Sequence, residues 1–404
     1  MKRRNLVLAL TACLIAAMFV GCLKDNDLTS EAEATVDQSE IIAPFTSEVI
    51  PGQYVVVYHE DAVTFDQGSG RLPYTKAQNI MKEEVKTTLQ RNNINVEKIK
   101  FVYGSSIKGF ALKDATEQEI ERLRQDDQVA YIEQDQTVSI SMGGPPGGGG
   151  GGGQQTPWGI TRVNGGSGTA SGVAYIIDTG LDMDHPDLNV DQNNWFSAWS
   201  SGGNAGPEDK NGHGTHVGGT VGAIDNSEGV IGVAPGATLI AVKVLDRRGS
   251  GSNSGVIAGV DYVAANAGAG DAANMSLGGG FYQPLNDAVI AASGSCPFAL
   301  AAGNESTTAS SKSPASANGN NIYTVASMTS SDGWSSFSNY GQPPVDWIAP
   351  GSSILSTYKD GGYATLSGTS MASPHVCGII LLGNISDGGN VTRVSGDVYD
   401  VAVH

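Results

Sequence analysis

The segment Gly172-Val173-Ala174-Tyr175-Ile176-Ile177-Asp178-Thr179-Gly180 decides the fold. A short, nearly all-apolar run ends in a carboxylate and a glycine turn. Alternating polarity would mark a strand with one wet face. A continuous apolar run marks a parallel strand covered on both faces. Such sheets place their sites at the C-terminal ends of their strands, where Asp178 stands. Taken alone, Asp178 reads better as a turn residue before glycine. From Trp158 onward, apolar strands alternate with helical segments, which predicts an α/β domain built on a parallel sheet and flanked by helices.

Two further segments carry chemistry. In Asn211-Gly212-His213-Gly214-Thr215-His216-Val217, glycines flank His213 and allow close approach to it. A metal pair of His213 with His216 lacks the intervening glutamate of the zinc helix and any third ligand. In Ser367-Gly368-Thr369-Ser370-Met371-Ala372-Ser373-Pro374-His375, Ser370 is expected to open a helix, with Pro374 tolerated in its first turn. The run Val376 to Leu382 is apolar all round, so that helix should be buried. A serine at a helix N-terminus faces backbone N–H groups and the positive dipole end, which favours a developing oxyanion.

Together these segments resemble the subtilisin family, most closely its proteinase-K-like branch, over Thr156 to about Leu382. Ile177-Asp178-Thr179-Gly180, His213 to Val217 and Gly368 to Pro374 carry the resemblance, in the Asp, His, Ser order known for subtilisin. It implies Ser370 as nucleophile, His213 as general base and then acid, and Asp178 as the partner that fixes the imidazole. Asn304, in Ala301-Ala302-Gly303-Asn304, matches the family's oxyanion donor. Gly249-Ser250-Gly251 and Ser276-Leu277-Gly278 match two segments between which a substrate lies as an added strand, held mainly by its backbone. Ala301 and Gly303 would help wall the primary pocket. Lys312, at the pocket edge, would ease acceptance of acidic side chains; the plainer reading is a solvated lysine. A structural Ca2+ is also implied, bound by carbonyls of Ile224, Glu228 and Val230 with oxygens of Asn226, Asp187 and Gln154. Because Gln154 ends the glycine run, that site should be complete only after a new N-terminus is freed. Beyond Leu382 the chain departs from the family, and a strand is expected around Val391 to Val394.

Residues 51–140 read as a separate small α+β unit. A strand at Gln53 to His59 precedes a helix from Thr75 to about Asn92, then runs at Ile99 to Tyr103 and Ile107 to Leu112. A second helix opens at Thr116 with Glu119 completing a capping box, and Val129 to Ile132 closes the unit. The order β-α-β-β-α-β is ferredoxin-like. Gly109-Phe110-Ala111-Leu112 and Val129 to Asp135 look like the family's inhibitory propeptide. The stretch 141–155 contains seven consecutive glycines, Gly147 to Gly153, without the Lys-Ser/Thr of a phosphate loop, and reads as a cleavable linker before the 156–404 catalytic domain.

Lys2-Arg3-Arg4 ahead of the apolar stretch Leu6 to Val20 is an export signal over 1–22, followed by a flexible tether, 23–50. Val20-Gly21-Cys22 resembles a lipobox, which would anchor the precursor through Cys22; an ordinary secretory signal is the alternative. Cys13 offers a competing match. Cys296 and Cys377 read as two buried thiols, with one disulfide as the alternative. The net charge of −18 excludes a polyanion such as nucleic acid as partner. The expectation is a secreted, monomeric serine endopeptidase of broad specificity, made as a zymogen and acting on proteins and peptides. Its own propeptide would inhibit it intramolecularly until autocatalytic removal.

Overall fold

The computed structural model describes residues 47–64, 71–141, 143 and 153–404. The expected export signal, Cys13 and Cys22, nearly all of the tether and most of the glycine run lie outside them.

The N-terminal unit runs β1 (Val49–Tyr58), α1 (Tyr74–Arg91), β2 (Ile99–Tyr103), β3 (Gly109–Leu112), α2 (Glu117–Arg124) and β4 (Val129–Ser139). Its strands lie in the antiparallel order β2-β3-β1-β4. Helix α1 buries Ala77, Met81, Val85 and Leu89, four residues apart and hence on one face. Helix α2 opens with the expected reciprocal cap between Thr116 and Glu119. Strand β4 does not stop near Ile132. It continues to Ser139 and leaves its own unit to pair with the next domain. Its second half was not legible as strand because Glu133 to Thr137 is polar, and backbone pairing rather than an apolar face extends it.

The second domain begins with α3 (Trp158–Arg162), β5 (Ala174–Asp178), β6 (Phe196–Ser197), α4 (His213–Gly222), β7 (Leu239–Lys243) and β8 (Ser250–Ser252). It continues through α5 (Asn253–Asn266), β9 (Ala272–Met275), β10 (Gly279–Gly280), α6 (Gln283–Ala292), β11 (Phe298–Ala301), β12 (Lys312–Ser313) and β13 (Ile322–Met328). The chain then forms β14 (Val345–Pro350), β15 (Ile354–Tyr358), β16 (Gly362–Leu366), α7 (Thr369–Leu382), β17 (Ser386–Thr392) and β18 (Val398–Val403). The central sheet is ordered β17-β18-β14-β13-β11-β9-β5-β7-β6 and is parallel except between β17 and β18. Strand β5 sits inside it, buried at every residue, as its unbroken apolar run requires. Cys296 and Cys377 are free and buried, and burial pushes the Cys296 thiol up to about 12.

The tail departs from expectation. Val394 is fully exposed in a turn, and the strands fall on either side of it. Strand β18 inserts beside β14, with Ile348 opposite Val401, and β17 covers the new edge. Val391 is the only buried residue of β17, so its polar remainder hid the pattern. Tyr399 fills that face, its ring 4.8 Å from Trp334 and its hydroxyl accepting from Gly341 N at 2.9 Å. Tyr399→Ala should cost about 3 kcal/mol or more. At about 2–4 °C per kcal/mol for a domain this size, the thermal midpoint should fall by about 10 °C, read by circular dichroism on a Ser370→Ala precursor. An unchanged midpoint would show that the hairpin is not part of the cooperative sheet.

Candidate active site

Three elements deliver three side chains to one cleft. Asp178 ends β5, His213 opens α4, and Ser370 is the second residue of α7; all three are fully buried. His213 Nδ1 lies 2.8 Å from Asp178 Oδ1, which also accepts from Thr179 N at 2.7 Å. A carboxylate only accepts, so the ring proton sits on Nδ1 and Nε2 is left as a bare base. That Nε2 is buried and has no hydrogen-bond partner. Ser370 Oγ does not reach it here. The hydroxyl instead donates to Ser276 O at 3.2 Å, so the expected serine–imidazole bond is not formed in this state of the chain.

Residues that sequence reasoning passed over hold this geometry. Buried Asp209 accepts from Thr179 Oγ1, Asn211 N and Gly212 N on one oxygen and from Thr215 N and Oγ1 on the other, all within 2.7–2.9 Å. It thereby ties the end of β5 to the start of α4. An aspartate a few residues ahead of a helix was the available signal. Lys243, opposite Asp178 in the sheet and fully buried, donates to Thr179 O. Gly214 fits because a Cβ there would lie 2.1 Å from Gly180 O. The glycine admits the protein's own backbone rather than a substrate.

Helix α7 also corrects its expectation. Pro374 is the sixth helical residue, beyond the first turn, so its missing N–H deprives the Ser370 carbonyl of its partner. Ser276 Oγ supplies one, donating to Ser370 O at 2.8 Å. Ser276 thus holds the start of the serine helix with its hydroxyl, and the Leu277 side chain lies in the core. His216 is no metal ligand: its Nε2 faces Ile354 O at 3.0 Å and Ala364 O at 3.1 Å, and burial lowers it to about 3. Among the described residues no cluster of His, Cys, Asp and Glu could hold a metal.

The cleft holds the chain's own upstream strand. Thr137, Val138 and Ser139 at the end of β4 pair with Ser252, Gly251 and Ser250 of β8. On the other side Ser139 N donates to Gly278 O at 3.0 Å, and Gly278 N donates to Ser139 O at 3.1 Å. Ile140 N donates to Gly249 O at 3.0 Å. Asn304 Nδ2 donates to Ser141 O at 2.9 Å. The amide cannot be reversed, because its Oδ1 already accepts from Thr369 N and Oγ1 at 2.8 and 2.9 Å. A Cβ on Gly368 would lie 3.2 Å from Ser141 O, so glycine keeps that approach open. Beyond, Gly143 pairs with Ser367. Ala301 ends β11 beside this point, and Gly303 N donates to Thr369 Oγ1 at 3.0 Å. Lys312 is neither a solvated lysine nor an unmatched cation. Its Nζ is 3.4 Å from Glu305 Oε1, and both side chains are mostly buried, so its charge is already balanced.

The residues expected to bind calcium do converge. Gln154 Nε2 lies 2.8 Å from Ile224 O and 3.5 Å from Val230 O. Asn226 Nδ2 is 2.7 Å from Asp187 Oδ1, whose other oxygen accepts from Val230 N at 3.0 Å. Glu228 N donates to Asn226 Oδ1 at 2.7 Å. Burial raises the Asp187 carboxyl. In the uncleaved chain Gln154 N and Gln155 N already donate to Ser227 O and Gly229 O at 3.1 and 2.8 Å, with Gly143 paired with Ser367.

A parallel α/β sheet that brings aspartate, histidine and serine together under a strand from its own N-terminal unit defines a class, the serine endopeptidases with a built-in inhibitor. The subtilase family pattern matches residues 172–383, and the peptidase inhibitor I9 pattern matches 53–141. The chain belongs to the subtilase family. It is 37% identical over 400 residues to the alkaline serine exoprotease A of Vibrio alginolyticus, spanning 95% of this chain and 70% of that protein. It is likewise 37% identical over 401 residues to the extracellular serine proteinase of Thermus sp. strain Rt41A, spanning 95% and 90%. Among solved structures, a cold-adapted subtilisin-like serine proteinase matches with a TM-score of 0.53 and 38% identity, covering 60% of this chain and 96% of that one.

Two buried carboxylates fasten the inhibitor unit. Asp135 accepts from Ser254 N and Oγ at 3.1 and 2.5 Å, at the start of α5. Asp261, within α5, accepts from Ser105 N and Ser106 N at 2.7 Å each, with Gln78 Nε2 also at 2.7 Å. An acidic residue inside the otherwise apolar Val260 to Val263 was the sequence signal for Asp261. Truncating one partner of a buried, charge-assisted network costs about 2–5 kcal/mol. Asp261→Ala should therefore raise the inhibition constant of the propeptide at least about 30-fold; an unchanged constant would remove Asp261 from the interface.

Proposed function

We propose that this protein is a secreted endopeptidase, made as an inhibited precursor, that hydrolyses peptide bonds of proteins through Asp178, His213 and Ser370. The observation that carries this reading is the Ser141 carbonyl, presented to Asn304 beside Ser370 as a scissile carbonyl would be. Ser370 Oγ turns from Ser276 O to the bare Nε2 of His213 and adds to the carbonyl carbon as the ring takes its proton. The developing oxyanion stays on the Asn304 amide. Such a donor contributes about two to three powers of ten in turnover, a scale itself set on subtilisin. The ring returns the proton to the leaving amine, and water then splits the acyl ester with His213 as base again. Asp178 holds the ring in the required tautomer and stabilises the imidazolium.

Substrate binding rests on the same backbone partners that hold β4: Gly249, Ser250 and Gly251 on one side and Gly278 on the other. Recognition through main-chain hydrogen bonds gives broad tolerance of sequence. Export is supported by the basic and apolar N-terminus; lipid on Cys22 rests on the sequence alone. Ser370 should be labelled by a fluorophosphonate in the matured wild-type enzyme, and Ser370→Ala should remain a full-length precursor. Labelling elsewhere, or maturation of the variant, would sink the assignment.

We further propose that Ca2+ binds where Gln154, Asp187, Ile224, Asn226, Glu228 and Val230 meet. The donors are hard oxygens of suitable number, and turning the Gln154 amide would present oxygen in place of nitrogen. A ligand at about 100 times its dissociation constant stabilises by about 2.7 kcal/mol. Moving the matured enzyme from chelator to calcium should then raise its midpoint by about 5–10 °C, and Asp187→Ala should abolish the rise. Equal midpoints with and without calcium in the parent enzyme would refute the site.

A further inference from the structure

We infer that the fully buried Asn339 is a positioning residue for the reaction, holding the loop that aims the Asn304 amide at a substrate carbonyl. This rests on the hydrolytic reading above and adds a residue to it. Asn304 stands three residues past the end of β11, in a loop whose backbone turns left-handed at Gly303 (φ 102°) and Ser306 (φ 51°). Such a turn has no repeating ladder of its own, so its shape is set by the groups that satisfy its N–H and C=O.

Asn339 satisfies them on both sides of Asn304. Its Nδ2 donates to Ala302 O at 3.0 Å and to Glu305 Oε2 at 2.6 Å. Its Oδ1 accepts from Glu305 N at 3.1 Å and from Thr307 N at 2.9 Å, and its backbone N donates to Gly303 O at 2.9 Å. A side-chain amide offers two donor hydrogens and two acceptor sites, and here all four are used. Two N–H groups at one end, and a carbonyl with a carboxylate at the other, fix which way the amide points. Gly303 belongs to the same contact: a Cβ there would lie 2.3 Å from Asn339 Nδ2.

The residues after Asn339 are themselves gripped. Tyr340 N donates to Thr307 O at 3.0 Å, and Ala309 N donates to Tyr340 O at 2.8 Å. From the tail, Arg393 Cζ lies 3.5 Å from the centre of the Tyr340 ring, and the Tyr399 hydroxyl accepts from Gly341 N. Asn339 is thus a fixed post against which the loop is set.

An oxyanion donor is effective when it already points to where charge will develop. Asn304 Nδ2 does so at 2.9 Å from Ser141 O, while Thr369 N and Oγ1 hold its Oδ1. Thr369 fixes the head of that side chain, and Asn339 fixes the backbone from which it departs. Truncating Asn339 leaves Glu305 N, Thr307 N and Ala302 O without their partner in a buried place, and the loop shifts to find others. The transition state then loses more than the bound substrate, whose main chain is held by Gly249, Ser250, Gly251 and Gly278.

Steady-state cleavage of a peptide p-nitroanilide by the matured enzyme tests this, with active sites counted by a fluorophosphonate. Asn339→Ala should lower kcat about tenfold or more and leave KM within about twofold. Asn304→Ala should lower kcat about 100- to 1,000-fold, and adding Asn339→Ala to it should change kcat less than about twofold, because no donor is left to place. A residue that served the fold alone would lower kcat equally in both backgrounds. Asn339→Asp, nearly isosteric, keeps the acceptor and loses the donor; its kcat should fall as well, and it carries the same comparison if the alanine variant does not fold. An unchanged kcat, or an equal loss with and without Asn304, overturns the positioning role and leaves the hydrolase standing. Full activity of Asn304→Ala would remove the oxyanion donor from the reaction, and an unlabelled parent would remove the triad; either takes the role of Asn339 with it.

Discussion

The arrangement depends on one strand that belongs to two domains. Strand β4 begins in the inhibitor unit and ends between Ser250 to Ser252 and Gly278, and two residues past its end the chain presents the Ser141 carbonyl to Asn304. A strand bonded on both edges leaves no unpaired backbone edge in the cleft, which is why an extended segment can be sealed there without an apolar sequence. The N-terminal unit fills the cleft with this strand, and the buried clasps at Asp135 and Asp261 hold its body in place.

The reactive groups are placed by second contacts as much as by the sheet. Asp209 collects five donors and fixes the angle between the end of β5 and the start of α4, and with it the approach of His213 to Asp178. Pro374 opens the backbone ladder of α7 at the Ser370 carbonyl, and Ser276 closes it from the neighbouring segment. The same Ser276 offers its own carbonyl to the Ser370 hydroxyl, so a single residue both holds the start of α7 and engages the Ser370 side chain. Removing the hydroxyl from that carbonyl is what engaging His213 requires.

Sequence alone exposed the parts that follow from local rules. The continuous apolar run of β5 could be nothing but an interior strand, and the Thr116–Glu119 cap and the four-residue spacing along α1 marked their helices. Family-like motifs identified Asp178, His213, Ser370 and Asn304, residues far apart in the chain that meet in one cleft. What stayed hidden is contact with distant backbone. Glu133 to Ser139 has no strand pattern, because backbone pairing holds it, first to β1 in its own unit and then, at Thr137 to Ser139, to Ser250 to Ser252 over 100 residues away. Lys312 read as solvated or as a bare cation until Glu305 was seen beside it. The tail hairpin was obscured by the polar residues of β17.

The central claim is that the precursor keeps residues 137–141 threaded as the middle strand of the cleft. Amide hydrogen exchange on an uncleaved Ser370→Ala precursor measures this directly. The account predicts strong, cooperative protection of the Ser139, Ile140 and Gly278 amides, lost together when Asp135 and Asp261 are both replaced by alanine. Free exchange at Ser139 and Ile140 in an otherwise protected precursor would contradict it.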